Sequence, residues 1–258
     1  MTTPPTKPHL ALIHGWGLGR AAWQPVTERL SAHYTLHIVD LPGYGAAPPD
    51  ARSFVDTARR IVDELPVGTT LCGWSLGAML ALEAAHQCPE RIPALILVGA
   101  TPSFVQRQDW PHAQAPTMLS LFTAAVRSNP RDTLQRFIAL LNQGDTQARA
   151  NTRAQQQSLP AVDLPDSDSL LQGLDWLRKS ELRPLIPAVS IPTLLIHGEH
   201  DPLMPLAAAE WLAEHLPEAQ LEIFKGAAHA PFLSDPERFA DLLIDTCYAL
   251  PNHQATRS

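Results

Sequence analysis

The sequence predicts an α/β fold, a mostly parallel sheet flanked by helices and interrupted by an all-helical insert. Three observations carry that expectation. Short apolar runs alternate with helix-length stretches through the first hundred residues, the pattern of parallel strands joined by crossover helices. The alternation resumes near residue 193, so two stretches of one sheet flank the middle of the chain. Between them, about residues 103–187 contain no strand-like run.

Each element has its own warrant. The run His9-Leu10-Ala11-Leu12-Ile13 is the first strand, followed by a helix at about residues 21–31 and a second strand at 35–39. A helix at about 53–65 leads to strands at 69–72 and 94–98, with a helix at 76–87 between them. In the insert, Pro130, Gly144, Pro160 and Pro165 separate helical segments. Leu134, Phe137, Ile138 and Leu141 recur at i, i+3, i+4 and i+7, giving one apolar stripe that either packs on the sheet or lines a cleft. Strands at 193–197 and 220–224 follow, with helices at about 206–216 and 235–249.

Bulk properties exclude several classes. At 258 residues the chain is long enough to bury a full core, and 45% hydrophobic against 17% charged residues reads as globular. A formal charge of -7 argues against nucleic acid, whose phosphates are bound by basic faces. Cys72, Cys88 and Cys247 are odd in number and far apart, which suits a reducing compartment better than a disulfide framework or a metal site. The polar, proline-rich start has no apolar core of a signal, and no apolar run reaches membrane-spanning length. The expectation is a soluble cytoplasmic protein.

The chemistry is concentrated in Gly73-Trp74-Ser75-Leu76-Gly77, which sits between a strand run and a helix run. There a serine is forced onto a sharp corner with its hydroxyl outward, and flanking glycines let neighbouring backbone pass. A serine hydroxyl needs a base, usually a histidine oriented by a carboxylate. Asp201 follows one late strand and His229 follows the next, in the order Ser, Asp, His. Ser75, Asp201 and His229 are therefore the catalytic candidates, with Glu199 as the alternative acid and His14, His197 and His200 as histidines to exclude. The tetrahedral intermediate needs two N–H donors, assigned to the amides of Leu76 and of Trp16 in His14-Gly15-Trp16-Gly17.

Together His14-Gly15-Trp16-Gly17, Asp40-Leu41-Pro42-Gly43-Tyr44-Gly45, the serine corner and the acid and histidine loops resemble the α/β-hydrolase superfamily over nearly the whole chain. Gly73-Trp74-Ser75-Leu76-Gly77, Asp109-Trp110-Pro111, Arg136-Phe137-Ile138-Ala139-Leu140 and Ala227-Ala228-His229-Ala230-Pro231-Phe232 are similar to the biotin-synthesis carboxylesterases acting on pimeloyl-[acyl-carrier protein] methyl ester. Ala78 departs from that pattern, which often has a second glycine after the corner. The resemblance implies an α/β-hydrolase core at residues 1–102 and 188–258 with a helical lid at 103–187. It implies substrate contacts at Trp16, Ser75, Leu76, Phe137, Ile138, Ala139, Leu140, Leu141 and His229, with no metal or other cofactor.

The implied partner is acyl carrier protein, with no nucleic acid and no membrane, and the expected state is a monomer. Carrier proteins are acidic and so is this chain, so a local basic patch must decide docking. Residues 127–153 hold five arginines against two acids, Asp132 and Asp145, and Arg149 and Arg153 share a helical face. The resemblance favours Arg136, Arg149 and Arg153 as docking residues, the alternative being a merely solvated helix. A general carboxylesterase, a C–C hydrolase or a lactonase would use the same triad, and a ligand receptor could use the same fold without turnover.

Overall fold

The computed structural model describes residues 7–158 and 164–254, apart from the side chains of 158 and 247–254. Residues 1–6, Pro160 and the Cys247 side chain lie outside the described residues.

Six strands, β1 (His9–Ile13), β2 (Thr35–Val39), β3 (Thr70–Trp74), β4 (Leu95–Val98), β5 (Thr193–Gly198) and β6 (Ala219–Phe224), form one sheet in the order β2-β1-β3-β4-β5-β6. Every neighbouring pair is parallel. The parallel sheet flanked by helices expected from the sequence is thus borne out. Parallel strands covered on both faces bury both sets of side chains, so they read as unbroken apolar runs. β3 and β4 are buried at every residue, whereas the edge strands β2 and β6 are only partly so.

Helices α1 (Gln24–His33), α2 (Phe54–Asp63), α3 (Leu76–Gln87), α8 (Leu206–His215), α9 (Pro231–Ser234) and α10 (Pro236–Gln254) cover the sheet. α1 packs with α10, and α2 packs with α3. α2 starts where Ser53 Oγ accepts the Asp56 N–H at 3.1 Å. β3 runs two residues past its expected end, because Gly73 and Trp74 continue the ladder against Leu97 and Val98. A glycine inside a strand hides it from propensity while the partner strand supplies the hydrogen bonds.

Strand order reverses at β1, which has β2 on one side and β3 on the other. Loops leaving β1 and β3 therefore diverge and open a crevice at the carboxyl ends of the strands, the usual ligand position in such sheets. His14–Gly17 leaves β1 there, and Ser75 leaves β3.

Between β4 and β5 the chain forms α4 (Pro116–Ser128), α5 (Pro130–Leu141), α6 (Ala148–Ser158) and α7 (Ser167–Lys179). Asn129 caps α5 by accepting the Asp132 N–H at 3.1 Å, with Pro130 at the first helical position. Asp166 caps α7 through the Ser169 N–H at 2.7 Å. α5 packs against α4 and α6, and α4 against α7. All four residues of the α5 stripe are buried, and Leu134, Phe137 and Leu141 join the same apolar core as the sheet.

Candidate active site

Ser75 takes φ 59° and ψ -119°, and among the described residues no other non-glycine has positive φ. Such a conformation costs about 1–3 kcal/mol and persists only where neighbours hold it. Here the Ser75 N–H donates to the Val98 carbonyl at 2.9 Å, and its own carbonyl accepts from Ala78 and Met79 at 3.0 and 3.2 Å. A Cβ on Gly73 would fall 2.3 Å from the Gly77 oxygen, and one on Gly77 would fall 2.3 Å from the Ile13 oxygen. Only hydrogen fits at either place, which is the physical content of the motif.

His229 Nδ1 lies 2.7 Å from Asp201 Oδ2, and both side chains are fully buried. Asp201 Oδ1 accepts the Leu203 and Met204 N–H groups at 2.8 Å each. Burial alone would raise the Asp201 carboxyl, but the adjoining His229, then His197 and the Met204 amide, outweigh it and hold the carboxyl below its ordinary value. The acid is ionised at neutral pH and keeps a proton on His229 Nδ1. His229 Nε2 is buried without a hydrogen-bond partner among the described residues. A Cβ on Gly99 would sit 3.1 Å from the His229 ring, and Gly99 follows the Val98 whose carbonyl holds Ser75. Ser75 and the His229 ring are thus each held against the carboxyl end of β4.

The Leu76 N–H opens α3, where the first N–H groups have no intrahelical acceptor and carry the positive end of the helix dipole. The β1 loop runs beside the serine, since a Cβ on Gly15 would lie 3.0 Å from Ser75 Cβ. His14 props that loop: Nδ1 donates to the Gly15 carbonyl at 2.8 Å, and Nε2 accepts the Leu41 N–H at 3.0 Å. Burial pushes its pKa down to about 4, so it is a neutral strut. The Tyr44 hydroxyl accepts the Gly17 N–H at 2.9 Å, and the Trp16 indole donates to the Leu170 carbonyl of α7 at 2.8 Å.

Beside Ser75 lies a small, mostly apolar cavity of about 20 Å³. Ser75 is the polar member of its lining, among residues such as Trp16, Phe122, Phe137, Leu174 and Leu203. Phe137 meets Trp16 edge-on at 4.8 Å. Of the stretch 137–141, Phe137 lines the cavity, whereas Ile138 and Leu141 are buried away from it, Leu140 is half-buried and Ala139 is exposed. Successive helical residues turn by about 100°, so five in a row cannot face one wall. Leu141 instead offers its carbonyl to the His229 N–H at 3.1 Å.

The other candidates resolve by geometry. Glu199 accepts the Gly226 N–H at 3.0 Å, while His200 lies 3.8 Å from it. His197 Nε2 donates to the Met204 carbonyl at 2.8 Å and sits 3.5 Å from Asp201. Burial lowers its pKa, so it too is a neutral brace. Arg136, Arg149 and Arg153 are exposed, and none forms an ion pair among the described residues. Arg149 and Arg153 flank a shallow surface depression on α6 with Thr152 and Gln156.

Two relationships escaped sequence reasoning. Trp74 Nε1 donates to the His229 carbonyl at 2.8 Å, and Asp145 Oδ2 accepts the Ala228 N–H at 3.0 Å. Neither pair has a spacing that sequence could reveal. Among the described residues, no cluster of His, Cys, Asp and Glu could hold a metal ion, and no helix is long and apolar enough to cross a membrane.

Residues 8–236 match the alpha/beta hydrolase fold family. A pimeloyl-[acyl-carrier protein] methyl ester esterase of Nitrosomonas europaea is 40% identical over 233 residues, covering 90% of this chain and 92% of that protein. The chain belongs to the alpha/beta hydrolase fold family and to the esterase family of that relative. A member of this esterase family from Aromatoleum aromaticum is 38% identical over 93% of this chain and 98% of its own length. Among solved structures, an esterase from Exiguobacterium antarcticum superposes with a TM-score of 0.82 at 24% identity, covering 94% of this chain and 92% of that chain, which speaks to the fold.

Proposed function

We propose that this chain hydrolyses the methyl ester of a pimeloyl group carried on acyl carrier protein, freeing the carboxylate for biotin synthesis. The observations that carry this reading are the buried His229–Asp201 pair, its Nε2 unpartnered, and a strained serine that lines an apolar cavity. Family membership supplies the substrate class.

Ser75 Oγ attacks the ester carbonyl while His229 Nε2 takes its proton, and Asp201 stabilises the resulting imidazolium. The amides of Trp16 and Leu76 bind the oxyanion, each contributing about 3 kcal/mol. Collapse expels methoxide, which leaves as methanol with the proton from His229. Water then gives a proton to His229 and attacks the acyl-enzyme, and collapse returns that proton to Ser75 as the free acid departs. Phe137 and the cavity's other apolar walls hold the methylene chain and exclude water.

In this reading residues 103–187 are a lid over the site, and Arg136, Arg149 and Arg153 receive the acidic carrier protein. The enzyme acts as a cytoplasmic monomer without a cofactor. The test is steady-state hydrolysis of the carrier-bound methyl ester beside p-nitrophenyl butyrate, with wild type and Ser75→Ala. Ser75→Ala should lower kcat by on the order of 10⁶ on both. A wild type with no preference for the carrier-bound ester would make it a general carboxylesterase instead.

A further inference from the structure

We propose that Asp145, in the turn joining α5 to α6, is a positioning residue for the histidine base, so that the helical insert sets the alignment of His229. This rests on the reading of His229 as the base. Asp145 is buried and takes four donors. Oδ2 accepts the Ala228 N–H at 3.0 Å and the Ser234 hydroxyl, and Oδ1 accepts the Gln147 N–H at 2.7 Å and Asn151 Nδ2 at 3.5 Å. A carboxylate has two acceptor oxygens and no donor, so it is the side chain that satisfies such a set.

The contacts fall on both flanks of His229. Its own N–H donates to the Leu141 carbonyl at 3.1 Å, and the Thr146 N–H donates to the Gly226 carbonyl at 2.9 Å. The Gln147 side-chain amide donates to the Ser234 carbonyl at 2.8 Å. The loop from 226 to 230 has no strand partners of its own, so its backbone groups must find acceptors and donors elsewhere. The turn from 141 to 147 supplies those for the Gly226 carbonyl and for the Ala228 and His229 N–H groups, with Asp145 giving the Ala228 N–H a charge-assisted bond, while Glu199, His200 and Trp74 serve the Gly226 N–H and the Ala227 and His229 carbonyls. The peptide joining Ala228 to His229 therefore takes its place from the insert, and the imidazole follows the peptide.

Asp145→Asn keeps the shape and turns one acceptor oxygen into a donor facing other donors. Measured on p-nitrophenyl butyrate per folded molecule, kcat should fall about 10- to 100-fold while KM stays within about twofold. The downfield proton resonance of the His229–Asp201 hydrogen bond should shift or broaden, which a purely structural role would not cause while the fold persists. Wild-type kcat per folded molecule overturns the proposal, whatever the melting temperature. If Asp145→Asn does not fold, Ser234→Ala removes one donor at the same oxygen and should lower kcat about threefold or more; wild-type kcat there overturns the proposal equally. His229→Ala runs in parallel: retained activity removes the base reading, and the proposal with it. An inactive His229→Ala beside a fully active Asp145→Asn removes the positioning role alone.

Discussion

The indole N–H of Trp74 donates to the carbonyl oxygen of His229 at 2.8 Å, tying the residue beside the serine to the residue that bears the imidazole. The two rings lie 5.5 Å apart, and Phe232 closes edge-on against the indole at 5.1 Å. Because Trp74 ends β3 and pairs with Val98, this bond references the histidine to the sheet. Trp74→Phe keeps most of the ring and removes the donor, leaving a buried carbonyl unmatched. We expect a loss of about 1–2 kcal/mol in urea unfolding and about a tenfold lower kcat on p-nitrophenyl butyrate. An unchanged kcat would mean that Leu141 and Asp145 hold the loop without help.

α7 touches both residues whose amides are read as oxyanion donors. A Cβ on Gly173 would fall 2.6 Å from Trp16 Cδ1 and 3.5 Å from Leu76 Cδ2. Glycine inside a helix costs about 1 kcal/mol relative to alanine, so Gly173→Ala favours the helix and crowds the indole. We expect kcat/KM to fall about tenfold while the unfolding free energy changes by less than about 1 kcal/mol. Unaltered kcat/KM would show that α7 gives way and Trp16 stays.

The sheet was legible because strands buried on both faces are continuous apolar runs, and Ser75, Asp201 and His229 stood out as candidates because residue type, chain order and strand ends coincide. Trp74 with His229 and Asp145 with Ala228 were not legible, since these hydrogen bonds join residues 155 and 83 positions apart and a carboxylate bonded to a backbone amide needs no partner motif. Asp145 even entered the sequence reading as a charge opposing the basic patch. α6 is polar in sequence, and it packs on α5 by burying Asn151 and Gln155, the latter 2.6 Å from Asn142, so apolar periodicity is silent there. Of residues 137–141, Phe137 lines the cavity and the others turn to other faces of α5, because a resemblance transfers a run whereas a helix exposes one face.

Arg149 and Arg153 lie on one exposed face of α6, and an acidic carrier protein would meet them through charges acting over about 8 Å at physiological salt. Replacing both with glutamate should lower kcat/KM on the carrier-bound methyl ester about 10- to 100-fold, and the deficit should shrink as salt is raised. Hydrolysis of p-nitrophenyl butyrate should not change. Equal losses on both substrates would place the effect in the fold and count against docking.

His14 makes stability depend on pH in a defined direction. Its folded pKa of about 4 lies below the ordinary 6.5, so the folded state binds this proton less readily than the unfolded chain. Its contribution is complete above about pH 6.5, is lost as pH falls toward 4, and declines no further below that. At about 1.4 kcal/mol per pH unit, the loss between pH 7 and 4.5 is about 2.5 kcal/mol. Burial of His197, and the partners that hold the Asp201 carboxyl ionised, act in the same direction, so the wild-type decline exceeds that figure. His14→Gln, which cannot take the proton, should shorten the decline in urea unfolding free energy by about 2.5 kcal/mol. A variant whose stability fell as steeply as wild type would show that His14 stays solvated enough to titrate normally, and its role as a neutral strut under the Trp16 loop would fail with it.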